Sequence, residues 1–389
     1  MITLNNSINE IYPNKVHYKK IKDLIEIAPK SKSGVGVISN MEVGNIIAFT
    51  SGDKKYFINE FLVDGEFIFM NDGGQADTKY YKGKAYYSDH VFAFTSKIMN
   101  VRFLYHYLLS INKEINEDFF RGSGIKNLIK KEFLNIEIPV PPLEIQCEIV
   151  RILDNFTELT AELTAELTAR KKQYEYYRDE LILKPNYKRV SIKEIATDIF
   201  RGAGIKREEV SKDGVPCIRY GEIYTSYGVY FKKCISHTKK NIVSNPKILK
   251  KNDVLFAITG ESIEEIAKTT CYIGDEEGYV GGDIVVLRHK QNAKYLSYAL
   301  STCDAVEQKG RGKVKSKVVH SSVPAICEIS IPLPSLQEQQ RIVSILDRFD
   351  TLCNDITSGL PAEIEYRTKQ YEYYRNKLLT FKRLEEKQL

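Results

Sequence analysis

The sequence predicts an α+β protein: two mixed α/β domains joined and separated by two long antiparallel helices, with a pseudo-two-fold internal repeat. Three observations predict it. A stretch that begins IPVPPLEIQ at Ile138 returns as IPLPSLQEQ at Ile331, and the offset of 193 residues holds through Phe156 and Phe349. The hexapeptide QYEYYR then closes both stretches, from Gln173 and from Gln370, at an offset of 197. The segments before each stretch also run through strand-like and helix-like patterns in a similar order. Self-similarity of this length sets the architecture before any local reading, and two units suit a pseudo-dimer rather than a solenoid.

Each repeated stretch reads as a helix with a marked start. Pro139, Pro141 and Pro142, and later Pro332 and Pro334, bias the chain towards extended structure. Pro142 or Ser335 opens the helix, because a first-turn position needs no donor N–H. Beyond it, Ile149, Leu153, Phe156, Thr160, Leu163, Leu167, Arg170, Tyr174, Tyr177 and Leu181 step alternately by four and three. That is a heptad seam and predicts a paired helix. Ile342, Leu346, Phe349, Leu352 and Ile356 repeat it, and Tyr371 and Tyr374 repeat Tyr174 and Tyr177. A helix over 143–182 spans about 60 Å at ~1.5 Å per residue. The natural cover for one seam is the other, so the helices pair antiparallel. Gly359-Leu360-Pro361 predicts a kink in the second. The predicted boundaries are therefore 1–142 for the first domain, 143–184 for the first spacer helix, 185–335 for the second domain and 336–389 for the second helix.

Within the first domain the globular part covers 1–137. VHYKKIKDLIEI (16–27) opens it, FLVDGEFIFMNDGG (61–74) reads as a strand and glycine turn, and YYSDHVFAFTS (86–96) alternates like another strand. VRFLYHYLLS (101–110) is helix-like, FFRGSGIKNL (119–128) is a basic glycine loop, and FLNIEIPV (133–140) returns to a strand. The second globular part, 185–330, follows the plan less literally. PNYKRVSIKEI (185–195) matches the opening, NDVLFAITG (252–260) and GGDIVVLRH (281–289) stand for the strands, and KYLSYALS (294–301) stands for the helix. KGRGKVKSKVV (309–319) stands for the basic loop, and CEISIPLP (327–334) closes the unit. The helices are close copies while the domains share only a pattern. The helices thus do one job twice and the domains contact different things.

Composition bounds the function. At 389 residues and 43% hydrophobic content the chain supports two or more domains. With 57 Lys+Arg against 51 Asp+Glu the net charge is +6, which permits a nucleic-acid partner without demanding one. The first fifteen residues lack a signal-type apolar core, and no apolar run is long enough to cross a membrane, so the expected place is the cytoplasm. The seven cysteines (147, 217, 234, 271, 303, 327, 353) form no CxxC and suit reduced structural thiols.

Chemistry-bearing motifs are missing. The nearest string to the Asn/Asp-Pro-Pro-aromatic tetrapeptide of adenine methyltransferases is Asn245-Pro246-Lys247, without the second proline or the aromatic. There is no GxxxxGK[ST] phosphate loop and no GxGxxG after a strand, so no ATP or adenosyl cofactor is indicated. The six histidines (17, 90, 106, 237, 289, 320) have no metal-ligand spacing and read as solvated or core-packed.

Basic and aromatic loops remain as candidate nucleic-acid contacts. In the first domain these are Lys54 and Lys55, the run QADTKYYK with Gln75, Lys79 and Tyr80, and Arg121 through Lys126. In the second they are Arg201, Lys206 and Arg207 (RGAGIKR), Arg219-Tyr220, Lys232, Lys239, and Arg311, Lys313 and Lys315 (RGKVKSK). Lysine and arginine neutralise phosphates, and glycine lets backbone N–H groups approach them. Gln75, Arg121, Arg201 and Arg219 have donors suited to base edges in the major groove. Tyr174, Tyr177, Tyr371 and Tyr374 fit helix packing better than base stacking, because they share the heptad phase.

The order domain, helix, domain, helix resembles the specificity subunits of type I restriction–modification systems. The residues that carry the resemblance are IPVPPLEIQ…IVRILDNF, IPLPSLQEQQRIVSILDRF, the QYEYYR pair and the run TAELTAEL (160–167). It spans essentially the whole chain. The resemblance implies two target-recognition domains, each reading half of a bipartite double-stranded DNA sequence, and two helices that space them and dock methyltransferase subunits, two of them. It also implies restriction subunits that join through the complex. S-adenosylmethionine, ATP and Mg are then expected on those partners, with no cofactor, metal or catalytic residue in this chain. The first copy departs from the second at Glu144-Ile145-Gln146 against Gln337-Glu338-Gln339. A reading from another class is a coiled-coil scaffold with two protein-binding heads.

Overall fold

The computed structural model describes residues 15–240, 245–311, 318–355 and 357–384. The chain forms two compact units, Met1–Glu162 with Ile364–Leu389, and Leu163–Glu363.

In the first unit, β1 (His17–Lys20) and a short β2 (Glu26–Ile27) lead into β3 (Val43–Phe49), β4 (Tyr56–Ile58), β5 (Val63–Asn71), β6 (Thr78–Tyr87) and β7 (Val91–Thr95). These build a six-stranded sheet in the order β2-β7-β5-β6-β3-β4. Its centre is apolar because β5 presents Ile68, Phe69 and Met70, all buried. Helix α1 (Val101–Ser110) lays Phe103, Leu104 and Leu108 on that core. Then come α2 (Asn112–Asp118), the minimal hairpin β8 (Phe120–Arg121) and β9 (Asn127–Leu128), and β10 (Glu137–Val140). β10 pairs antiparallel with β1, so the chain leaves the domain beside its point of entry.

Helix α3 runs unbroken from Leu143 to Ile182, as the heptad predicts. Its first half lies in the first unit and its second half in the second.

The second unit opens on β11 (Arg189–Ser191) and β12 (Ala196–Arg201), followed by β13 (Val210–Ser211), β14 (Val215–Ile218), α4 (Tyr220–Thr225), β15 (Tyr230–Phe231), β16 (Ser236–Thr238) and β17 (Ile248–Leu249). The chain continues through β18 (Val254–Ala257), β19 (Thr259–Gly260), β20 (Thr269–Tyr272), β21 (Gly278–Val280), β22 (Ile284–His289), α5 (Ala293–Ala299), α6 (Cys303–Gly310), β23 (Val319–His320) and β24 (Ser330–Pro332). Two five-stranded sheets result, β12-β22-β18-β20-β15 and β13-β16-β14-β21-β17. β24 pairs with β11 as β10 pairs with β1. Entry and exit strands thus meet in both domains, although the sheets between them differ.

The second repeated stretch gives α7 (Leu336–Asn354) and α8 (Leu360–Leu379). Ser335 caps α7, its side chain accepting from the Glu338 N–H. The chain breaks where a kink was expected. A Cβ on Gly359 would lie 2.4 Å from the Thr351 carbonyl oxygen, so only glycine allows this close return. Past α8 the chain runs beside the opening of β1: Val16 N–H donates to the Lys382 carbonyl and Leu384 N–H to that of Val16, both at 2.9 Å.

Each unit closes the predicted seam in its own way. In the first, Ile149, Ile152 and Leu153 join Tyr374, Leu378 and Leu379 in the core under α1, and Phe156 stacks on Tyr374 at 5.4 Å. In the second, Tyr174 and Ile182 join Ile342, Val343, Leu346 and Cys353, and Tyr177 stacks on Phe349 at 5.7 Å. Leu163 and Leu167, in the TAEL run, are half-buried.

Several sequence expectations need correction. Residues 86–96 are two strands rather than one, because Val91 N–H turns back to the Ser88 carbonyl. Of FLNIEIPV only 137–140 is strand; Phe133 ends a helical turn. Leu352 is exposed and Cys353 takes the buried seam position, since the four-three stepping from Phe349 lands one residue later. Lys309 belongs to α6 rather than to a basic loop: its ammonium is buried, donating to Thr269 Oγ1 and the Leu300 carbonyl at 2.8 Å, and burial pulls it down to about 7. Ile356, Lys313 and Lys315 lie outside the described residues.

Candidate nucleic-acid interface

Two repeated side chains hold each globular domain to its helix. Gln146 in α3 is buried; its amide donates to the Pro141 carbonyl at 2.8 Å and its oxygen accepts from Asn100 N–H at 2.8 Å. Gln339 in α7 does the same with Pro334 at 2.9 Å and Asn292 at 3.0 Å. Asn100 and Asn292 are themselves the N-caps of α1 and α5. The glutamine therefore satisfies an otherwise orphaned cap N–H and ties the domain helix to the proline entry of the repeated helix. Split sequence context at Ile145 leaves this contact intact, since both glutamines sit at the same register.

About two turns further along, a repeated aspartate engages the same domain helix. Asp154 accepts from Arg102 Nε at 2.9 Å and His106 Nε2 at 2.8 Å. Asp347 accepts from Lys294 Nζ at 2.7 Å and the Tyr298 hydroxyl at 2.8 Å. Burial pushes the Asp154 carboxyl up, but the His106 bond and the Arg102 charge outweigh it and hold it below the usual carboxylate range. Burial lowers the His106 imidazole despite that carboxylate.

So anchored, each domain presents an open groove carrying some of the candidate residues. In the second unit a groove of about 870 Å³ is lined by Arg201, Arg207, Arg219 and Tyr220 above a floor of Gly202, Gly204, Gly281 and Gly282. A Cβ on Gly202 would fall 2.1 Å from the Gly281 oxygen, so the two glycine loops touch through backbone alone. Arg219 leads into α4 and pairs with the nearly buried Glu222 at 3.3 Å, which also accepts from Ser236. Arg201 pairs with Asp283 at 2.6 Å.

In the first unit a groove of about 670 Å³ brings Gln75 together with Lys126, beside Lys113, Asn116, Gly124 and Ile125. The two come from separate loops joined by Gly74 N–H donating to the Lys126 carbonyl at 2.8 Å. The 50–55 loop adjoins through Asn71, whose amide donates to the Ser51 carbonyl at 3.0 Å. Lys54 and Lys55 are exposed there, Lys54 over the Tyr56 ring.

Other candidates stand elsewhere. Lys79 and Tyr80 lie on β6 rather than in a loop. Lys79 pairs with Asp77 at 2.6 Å; Tyr80 packs against Tyr105 beneath the Arg102 guanidinium, and burial pushes its phenol up to about 12. Arg121 pairs with Glu132 at 3.1 Å. Lys206, Lys232 and Lys239 are exposed and do not line the second groove. Arg311 pairs with Glu307 at 3.3 Å. Sequence reasoning missed the two glutamines and two aspartates; their signal was that they alone among the polar positions of 143–156 recur unchanged at the 193-residue offset.

Two units, each pinned to a repeated helix and each opening a groove with cationic walls, define a paired recognition architecture. The chain belongs to the family described as the type I restriction modification DNA specificity domain, whose pattern matches residues 13–170 and 185–366. It is 31% identical over 95% of its length, and 96% of the relative's, to a Haemophilus influenzae protein named as a type I restriction enzyme specificity subunit. It is 32% identical to the EcoR124I/EcoR124II specificity subunit of Escherichia coli over 72% of this chain and 71% of that one. The fold is shared with the crystal structure of the S subunit from M. genitalium, at a TM-score of 0.59 and 16% identity, covering 95% of this chain and 97% of that one.

Proposed function

We propose that this chain is the DNA-reading subunit of a type I restriction–modification complex. Each globular domain reads one half of a bipartite duplex target, and the repeated helices set the half-site spacing and dock two methyltransferase subunits. The observation that carries the reading is that the family pattern occurs twice along the chain, each copy ending in a helix that pins its own domain through glutamine and aspartate. Recognition is the chain's own task. Methylation and cleavage, with S-adenosylmethionine, ATP and Mg, fall to partner methyltransferase and restriction subunits, and the complex works in the cytoplasm. Among the described residues no helix is long and apolar enough to cross a membrane.

The test is duplex binding by the full-length chain across a salt series. A DNA-reading subunit binds with an affinity that falls steeply as salt rises, because phosphate contacts release counterions. A scaffold with protein-binding heads gives no such binding. Adenosylmethionine-dependent methylation by the purified chain alone would overturn the division of labour.

A further inference from the structure

The string Arg-Gly-Ser-Gly-Ile-Lys at 121–126 returns in the other domain as Arg-Gly-Ala-Gly-Ile-Lys at 201–206. The two are not repeat equivalents: the first joins β8 to β9 late in its domain, and the second leaves β12 early in its own. Yet they are built alike. In each, the arginine is the last residue of a strand, and the loop lies tight on backbone. A Cβ on Gly122, at φ +155°, would sit 2.7 Å from the Ile125 oxygen, and one on Gly202 2.1 Å from the Gly281 oxygen. In each, the glycine-isoleucine step lines the open groove of its unit, Gly124-Ile125 in one and Gly204-Ile205 in the other. And in each, a carboxylate from another segment holds the arginine: Glu132 on Arg121 at 3.1 Å, Asp283 on Arg201 at 2.6 Å.

We infer that these loops are matched grips for the DNA backbone, and that Glu132 and Asp283 occupy the arginines until a phosphate replaces the carboxylate. The inference rests on the DNA-reading function proposed above. A carboxylate and a phosphate present the same paired oxygens to a guanidinium, so one substitutes for the other without rebuilding the loop. Both pairs are exposed, with arginine side chains 61% and 58% accessible, so neither holds strongly against a polyanion. The fourth-position glycine, Gly124 in one loop and Gly204 in the other, has open space where a Cβ would stand, so a duplex phosphate can come close beside the arginine. The carboxylates compete with the phosphates of any duplex, so they hold affinity below what the arginines alone would give.

The experiment titrates the full-length chain against a random-sequence duplex over a salt series. Arg121→Gln and Arg201→Gln should each weaken binding and reduce the salt slope by about 0.9, the value for one phosphate contact. Glu132→Gln and Asp283→Asn should strengthen binding severalfold in the wild-type background and leave it unchanged in the matching Arg→Gln background. All four side chains are surface groups, and unchanged circular dichroism confirms the fold. If the arginine variants keep the wild-type slope, or the carboxylate variants strengthen binding equally with and without their arginine, the inference fails and only general repulsion remains. If the wild-type chain itself shows no salt-dependent binding, the DNA-reading function fails first.

Discussion

The two domain–helix joints make an instructive pair. On the helix side they are identical: Gln146 and Asp154 in α3, Gln339 and Asp347 in α7. On the domain side the cap is asparagine in both, but the aspartate meets Arg102 and His106 in one and Lys294 and Tyr298 in the other. A carboxylate accepts from any donor in reach, so the helix keeps one socket while the domain varies its plug. The difference teaches where change is tolerated. Sheets, loops and even the donors of the joint differ between domains, whereas the residues that receive them do not.

The largest expected effect breaks both joints at their apolar base. Leu153→Glu in the first unit and Leu346→Glu in the second, both fully buried, should each destabilise on the order of 3–5 kcal/mol by burying an unpaired charge. Denaturant unfolding and assembly with partner subunits read the loss. Assembly as tight as wild type would mean the seam is not structural.

A smaller effect sharpens the comparison. Gln146→Leu and Gln339→Leu each strand a cap N–H and a proline carbonyl, at about 1–3 kcal/mol per stranded group. The two losses should be close, with Gln339 the larger, because both glutamines share two bonds and Gln339 also donates to Gln291 Oε1 at 3.0 Å. Chemical unfolding midpoints that differ widely would show that the joints only look equivalent.

Smaller still is the response to pH, where the joints part company. The folded His106 pKa lies below its unfolded value, so below about pH 6.5 the unfolded chain binds a proton that the folded one does not. Stability contributed at neutral pH is therefore lost as pH falls from about 7.5 towards 5.5, by up to ~1.4 kcal/mol per pH unit. Tyr298 does not titrate in that window, since burial raises its phenol. His289 in the second unit, lowered by burial to about 4, adds a loss of the same sign. His106→Gln keeps a donor for Asp154 and should flatten the profile by the share of one histidine; an unchanged profile would place the sensitivity elsewhere.

The mildest change concerns the TAEL run, which straddles the boundary between the compact units. One more TAEL after Leu167 adds about 6 Å of helix, with Ala and Glu favouring its formation. As a stutter it underwinds the seam locally, and Leu163 and Leu167 are only half-buried, so little packing is lost. Modification of targets with graded gaps should show the preferred gap widened by one or two base pairs, with both half-sites unchanged. An unaltered gap would remove these repeats as the spacer.

Much of this was legible in the sequence because it was written twice. The 193-residue offset exposes the helices, and the heptad places Ile149, Leu153, Ile342 and Leu346 inward, where all four are buried. What stayed hidden depends on long-range pairing. Nothing local separates β6 from β7 at Ser88, tells that Tyr80 lies under Arg102, or buries Lys309 beside Thr269. The grooves were half legible: RGAGIKR and Arg219-Tyr220 were separate strings until the glycine loops at 202 and 281 met. The recurrence of Arg-Gly-x-Gly-Ile-Lys is also written in the sequence, but it falls outside the repeat frame, so matching the two halves passes over it.

The proposed function requires two domains, held by a common socket, to read two half-sites independently. Exchanging residues 1–137 for the corresponding domain of a relative tests it directly, with methylation-sensitive sequencing of DNA from cells that express the full complex. One half of the modified sequence should change while the other half and the gap persist. A change in both halves would contradict independent reading.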